Sequence, residues 1–293
     1  MGAPHSRILP AVELSGLAGL VGVSYDTIDK GFLCAFVERW HAETHSFHMP
    51  VGELTITLDD VSNLLHLPII GQFYTYPRLD ATTTTDLLVD SLSVDWGVAA
   101  AETGHCWGGH VRLSWLREMY RTHVPRDNGL WLHRHTGGYS WAATALTHMY
   151  EQLGDGSYAN TRQLVGSRLS TFASVRMELD SLCIGVVQWM PYEEHKAVRP
   201  FEWISLFSVY IQLRACRQMH FPELVLRQIG YIQCIPRHPS TVHHGNPSTS
   251  EIDHRWLDFN ANLVQGVVLA TDVGTCVPAY LEWFRSISHP YII

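Results

Sequence analysis

The stretch from residue 43 to 68, ETHSFHMPVGELTITLDDVSNLLHLP, constrains the fold more than any other part of the chain, because its hydrophobic period changes halfway. Residues 46–57 combine β-favouring side chains, a turn at Pro50, Val51 and Gly52, and the alternation Leu54, Ile56, Leu58. That is the pattern of a short hairpin. Thr57 then stands where a helix N-cap belongs, and Asp59 and Asp60 fall in the first turn, where the helix dipole favours anions. Val61, Leu64 and Leu65 are read as the inward face, with Pro68 as the stop. A hairpin running into a capped helix is a structural module. Nothing in it is a nucleophile, a base or a phosphate cradle.

Upstream, Ile28, Phe32, Phe36 and Trp40 recur every fourth residue with Leu33 and Val37 beside them, while Asp29, Lys30, Glu38 and Arg39 fall opposite. This spacing predicts an amphipathic helix with an aromatic seam, capped by Ser24 or Asp26. Phe47, Leu54, Ile56 and Leu65 are expected to pack near Phe36 and Trp40. Further helices are expected around 111–121, 142–153, 201–214, 222–229 and 277–287, and a polar loop over 237–253. There is no internal repeat and no βαβ alternation. The expected fold is mainly α, α+β only through small β-hairpins: a single irregular helical domain over residues 8–293.

Composition narrows the function classes. With 46% hydrophobic and 16% charged residues the chain is globular. The formal charge of −8 argues against a nucleic-acid grip by the whole domain, which needs a basic surface. The six cysteines are scattered without a CxxC pair, a usage that fits a reducing, intracellular compartment. The apolar stretch LSGLAGLVGV has no basic lead and is too short to span a bilayer, so no membrane insertion is expected.

Each candidate chemistry has a plainer alternative. His41, His45 and His48, and His105, Cys106 and His110, suggest zinc, but no HExxH motif accompanies them. Ser140, in GGYSWAATAL, resembles a nucleophile elbow, or it simply caps the helix that begins at Trp141. Lys30 and Lys196 are the only lysines. Neither has the apolar surroundings that activate an amine, and no cofactor fingerprint is present. Arg112, Arg117, Arg121 and Arg126, interleaved with Trp115 and Tyr120, form a possible nucleic-acid contact. The alternative is an ordinary helix burying Val111, Trp115, Leu116 and Met119.

The block FVERWHAETHSFHMPVGELTITLDDVSNLLHLPIIGQ resembles the plant mobile domain, which includes the maintenance-of-meristems proteins and transposon-borne relatives. GGYSWAATALTHMYEQLGD, PELVLRQIGYIQCIPRHP and YLEWFRSISHPYI agree with it in the family's order. The motif residues are Phe36, Trp40, Phe47, Pro50, Gly52, Thr57, Asp60, Leu65, Pro68, Tyr139, Trp141, Arg227, Gly230, Pro236, Trp283, His289 and Pro290. The resemblance implies a structural or partner-binding role for them, in a non-enzymatic nuclear protein of meristem maintenance, transposon silencing and gene-expression control. A protein partner is implied, with no cofactor. The "aminotransferase-like" label and the metallophosphatase fused to some members do not carry over. The required lysine environment and the GDxHG and GNHE motifs are missing. Relative to the family, segments around 122–136 and 166–174 are shortened. That shortening predicts uncovered apolar area at Trp141, Leu146, Met149, Trp203 and Phe207.

Overall fold

The structure, a computed structural model, describes residues 9–22, 29–75, 79–106, 109–123, 138–158, 169–238, 241 and 245–288. It is mainly α-helical with small antiparallel sheets. The chain forms two compact units, one from residues 1–24 and 75–139, the other from 25–74 and 140–293.

In the first unit, α1 (Leu9–Leu14) and a 3-10 turn are followed by α4 (Ala81–Leu92), α5 (Trp96–His105) and α6 (Leu113–His123). The carboxylates of Asp80 and Asp95 cap α4 and α5, accepting the N–H groups of Thr83 and Gly97. Leu88, Val94 and Ala99 form the core, and Trp115, Leu116 and Met119 of α6 pack on it. The Thr82–Thr85 run gives no apolar stripe, so α4 is a helix that hydrophobic period does not announce. Its caps do.

The second unit starts with α2 (Lys30–Val37), capped by Asp29. This is shorter than the predicted helix, and the seam divides. Phe32 and Leu33 are exposed, whereas Trp40 has left the helix for strand β1 (Trp40–His41) and is fully buried. Ile28, Ser24 and Asp26 lie outside the described residues. Just past the helix end, buried Arg39 turns back to the Ala35 carbonyl and reaches Asp180 at 2.6 Å on α8 (Leu169–Asp180). β2 (Ser46–Met49) and β3 (Gly52–Leu54) form the expected hairpin, with Phe47 opposite Leu54. Phe47 meets Phe36 and Trp40 with ring centroids 5.6 and 4.8 Å away, joining helix to hairpin as expected. Thr57 and Asp60 form a reciprocal capping box on α3 (Leu58–Leu65). Leu64 is exposed, contrary to the inward face assigned to it, because the α3 face that packs carries Leu58, Val61 and Ser62. The helix ends at Leu65, with His66 as its C-cap in the left-handed region, so Pro68 follows the stop instead of making it.

α7 (Trp141–Ser157) is the central helix and packs against α3, β1 and a second hairpin. The helix predicted over 201–214 does not exist. A 3-10 turn (Trp203–Leu206) leads into β4 (Tyr210–Leu213), which pairs with β5 (Cys216–Met219). The segment predicted as a helix over 222–229 is two 3-10 turns, Pro222–Leu224 and Leu226–Ile229. The expected polar loop is cut short by α9 (Thr249–Leu257), and α10 (Tyr280–Ile287) closes the described chain. Leu146 and Phe207 are fully buried and Trp141 and Met149 half-buried, so the predicted exposure holds only for Trp203. The rings of Trp256 and Tyr74 cover Phe207 and Trp141.

Candidate functional site

β3 is the outer strand of its sheet, and its free edge would present unpaired backbone groups. Side chains take the place of a fourth strand there. Arg227 donates to the Val51 carbonyl at 3.0 Å, and the Tyr280 hydroxyl accepts the Glu53 N–H at 3.3 Å. The Gln228 amide accepts the Thr55 N–H at 2.9 Å and donates to the Thr55 carbonyl at 2.7 Å. Arg227 and Gln228 come from the 3-10 turn Leu226–Ile229, and Tyr280 from the first turn of α10. Elements far apart in sequence are thus fastened to one strand edge.

The guanidinium of Arg227 has no solvent exposure. It lies over the Trp189 ring at 4.0 Å and the Tyr280 ring at 5.0 Å, which compensates part of its lost hydration. Burial lowers its pKa, and burial pushes the Tyr280 hydroxyl up to about 12 against the pull of Arg227. Gly52 makes room for this arrangement. A Cβ there would fall 2.3 Å from Arg227 Nη2 and 2.9 Å from the Tyr280 oxygen, and its φ is +119°. Beside this cluster, Glu53 is buried, accepts the Ser46 hydroxyl at 3.1 Å and stands 3.6 Å from His48 Nε2. His48 stacks on His41 with centroids 3.6 Å apart.

The predicted chemical centres do not assemble. Ser140 is fully buried and caps α7, its hydroxyl donating to the Ile69 carbonyl at 2.6 Å, so it is no exposed nucleophile. Among the described residues no group of three or more His, Cys, Asp and Glu could hold a metal ion. His41 lies on a strand and His45 in a turn at φ 51°, so they share no helical face. Arg112 forms a two-toothed pair with Glu102. Its hydrogen bonds hold that carboxyl below the usual range. Trp115, half-buried, packs on the first unit's core. Arg117 is exposed, while the side chain of Arg121 and all of Arg126 lie outside the described residues.

Of the motif residues, Gly52 and Arg227 meet at the strand edge, and Phe36, Trp40 and Phe47 meet at the hairpin root. Thr57 and Asp60 form the cap, the Pro68 carbonyl accepts the Ala142 N–H, and Gly230 takes a left-handed φ of 86°. The Trp283 ring lies 5.8 Å from that of Tyr280. Pro50 sits exposed at the hairpin turn, and Leu65, Tyr139, Trp141 and Pro236 are half-buried. His289 and Pro290 lie outside the described residues. Sequence reasoning missed Gln228, Tyr280 and Trp189. Only their distance along the chain hid them, since a buried arginine needs aromatic or polar company.

The second unit carries a cleft of about 310 Å³ lined by Ser62, Pro68, Ile69, Ile70, Val198, Arg199, Pro200 and Glu202. No helix of the described residues is long and apolar enough to cross a membrane.

The sequence model described as "Plant mobile domain" matches residues 16–134. Among curated proteins of Arabidopsis thaliana, the chain is 24% identical to Protein MAIN-LIKE 1, with 94% of the chain and 70% of the relative covered. It is 22% identical to Protein MAINTENANCE OF MERISTEMS, over 95% of the chain and 74% of the relative. A shorter match, 39% identical over 115 residues, joins 38% of the chain to 8% of a serine/threonine-protein phosphatase 7 long form homolog. The two long alignments run over 366 and 368 residues, more than the chain's 293, so these relatives carry segments that it lacks. No solved structure matches the chain.

Proposed function

This chain belongs to the plant mobile domain family, and from that premise we propose that it is a non-enzymatic nuclear interaction protein. Its proposed role is in meristem maintenance, transposon silencing and gene-expression control, or that of a transposon-derived relative with the same mode of action. The observation that carries this reading is the closed strand edge. The motif residues Gly52 and Arg227 meet in a fully buried lock, where they hold elements together and face no substrate. Ser140, the strongest enzymatic candidate, is likewise engaged in a buried cap. Packed motif residues, with the serine candidate closed off among the described residues, suit recognition of a protein partner.

The test is expression of a fluorescent fusion of the full chain in plants lacking MAINTENANCE OF MERISTEMS. Nuclear accumulation with restored meristem growth is expected, and an Arg227→Ala fusion, unable to close the edge, should restore none. Exclusion from the nucleus, or labelling of the purified protein by a serine-hydrolase probe that Ser140→Ala abolishes, would overturn the proposal.

A further inference from the structure

Residues 192–200 run along the surface of the second unit, with Glu193, Glu194, Ala197 and Val198 exposed. The segment is built on its own turns: a 3-10 turn over Glu193–Ala197, and the N–H groups of Val198 and Arg199 bonded to the His195 carbonyl. Two side chains tie it to α3. Lys196 Nζ stands 3.3 Å from Asp59 Oδ2 and 5.3 Å over the Phe201 ring, and Arg199 donates to the His66 carbonyl at 2.9 Å. Asp59 is 6% exposed, and its neighbour Asp60 is held in the capping box. Burial raises the Asp60 pKa, the charge of Asp59 adds to that, and Lys196 opposes it. Lys196 is thus a cation set beside two adjacent carboxylates, paired with the buried Asp59 and opposing the raised pKa of the half-buried Asp60.

Val198, Arg199 and Pro200 also form one wall of the 310 Å³ cleft. The wall formed by Pro68 and Ile69 is fixed. The Ile69 carbonyl accepts the Ser140 hydroxyl at 2.6 Å and the Pro68 carbonyl accepts the Ala142 N–H at 3.0 Å, which fastens that wall to α7. One wall is anchored to the central helix; the other is held by the Lys196–Asp59 ion pair and the single Arg199 bond to the His66 carbonyl. We propose that residues 192–200 form a strap held closed by the charge of Lys196, which swings outward and widens the cleft when that charge is lost. The mechanism is local opening: a surface segment tied down mainly by polar contacts separates at a free energy below that of global unfolding, and its ring contacts, Tyr192 with His195 and His195 with His66, are what it must also leave. The inference rests on the ion pair and the cleft, and stands apart from the nuclear role proposed above.

Cleavage by a glutamyl endopeptidase separates local from global opening. Glu193 and Glu194 lie on the strap, whereas Glu53 and Glu223 are buried and become cuttable only when the unit unfolds. In the full chain, Lys196→Gln should speed cutting at Glu193 and Glu194 by at least about tenfold, the effect of breaking an ion pair that lies between the exposed and the fully buried case. Lys196→Arg, which keeps the charge, should cut at close to the wild-type rate, as should Lys30→Gln. The strap is refuted if Lys196→Gln cuts no faster there. Equal acceleration at Glu53 and Glu223, or the same acceleration in Lys196→Arg, also overturns it, since the lysine would then hold the whole unit or act by shape.

Discussion

Gly52 shows how one residue can carry a whole junction. Its φ of +119° is outside the range that L side chains adopt readily, and the space above it is filled by Arg227 and Tyr280. Gly52→Ala should therefore cost more than backbone strain alone, roughly 2–4 kcal/mol in urea denaturation, through strain plus displacement of the guanidinium. Arg227→Ala removes a bond to the Val51 carbonyl and the stacking on Trp189, and is expected to be similarly costly. Because both changes act on the same contact, the double variant should fall short of the sum by at least about 0.5 kcal/mol. Strictly additive losses would mean that the glycine serves only its backbone angle. The sequence pointed to both residues through the family pattern, yet it could not show that they touch. A contact between positions 52 and 227 has no periodicity to betray it.

At the scale of elements, the parts legible in sequence were those specified by neighbours. The β2–β3 hairpin and the α3 capping box rest on turn chemistry and a Thr–Asp spacing within a few residues. The predicted helix over 201–214 takes in β4 but not β5, because WISLFSVYIQL is apolar at helical intervals and the two-residue turn after it, Arg214 and Ala215, lacks the glycine or asparagine that signals a hairpin. Tertiary contacts supply what the turn lacks. Arg214 is held at φ 56° by its N–H bond to the Tyr74 carbonyl at 2.8 Å and by its guanidinium over the Tyr74 ring. The strand-edge closure by Gln228 is equally invisible locally, and it makes a sharp prediction. Gln228→Glu keeps an acceptor for the Thr55 N–H but loses the donor that its carbonyl needs, and it places a charge at a half-buried site. Stability should drop by about 1–3 kcal/mol, read from the midpoint of chemical denaturation. Exchange of the Thr55 amide, followed by NMR, should accelerate no more than global unfolding accelerates, because the acceptor remains. Faster local exchange in Gln228→Glu would show that the edge is held by other means.

For the second unit as a whole, two buried imidazoles set the response to acid. His45 is 8% exposed and stacks on the Tyr150 ring at 4.9 Å, and His220 is 1% exposed with Nδ1 2.6 Å from the Phe207 carbonyl. Burial lowers the pKa of each from the usual 6.5 to about 4; the proximity of His220 adds to this at His45, against a smaller pull from Glu43. Between those values the unfolded chain binds protons that the folded chain refuses, so stability rises with pH across that interval. The contribution is complete above pH 6.5 and is lost as the pH falls toward 4. Asp60 works the other way: its pKa, raised by burial, favours the protonated form in the fold, which offsets part of the loss at the acid end. Denaturation at pH 7.0 and 4.5 should differ on the order of a few kcal/mol for the wild type, since each unit of pKa shift corresponds to about 1.4 kcal/mol. A variant with His45→Gln and His220→Gln starts less stable, because each glutamine must find partners in the core, but its stability should change much less over the same interval. A wild type equally stable at both pH values, or a double variant with an unchanged slope, would show that these histidines are not what acid unfolds.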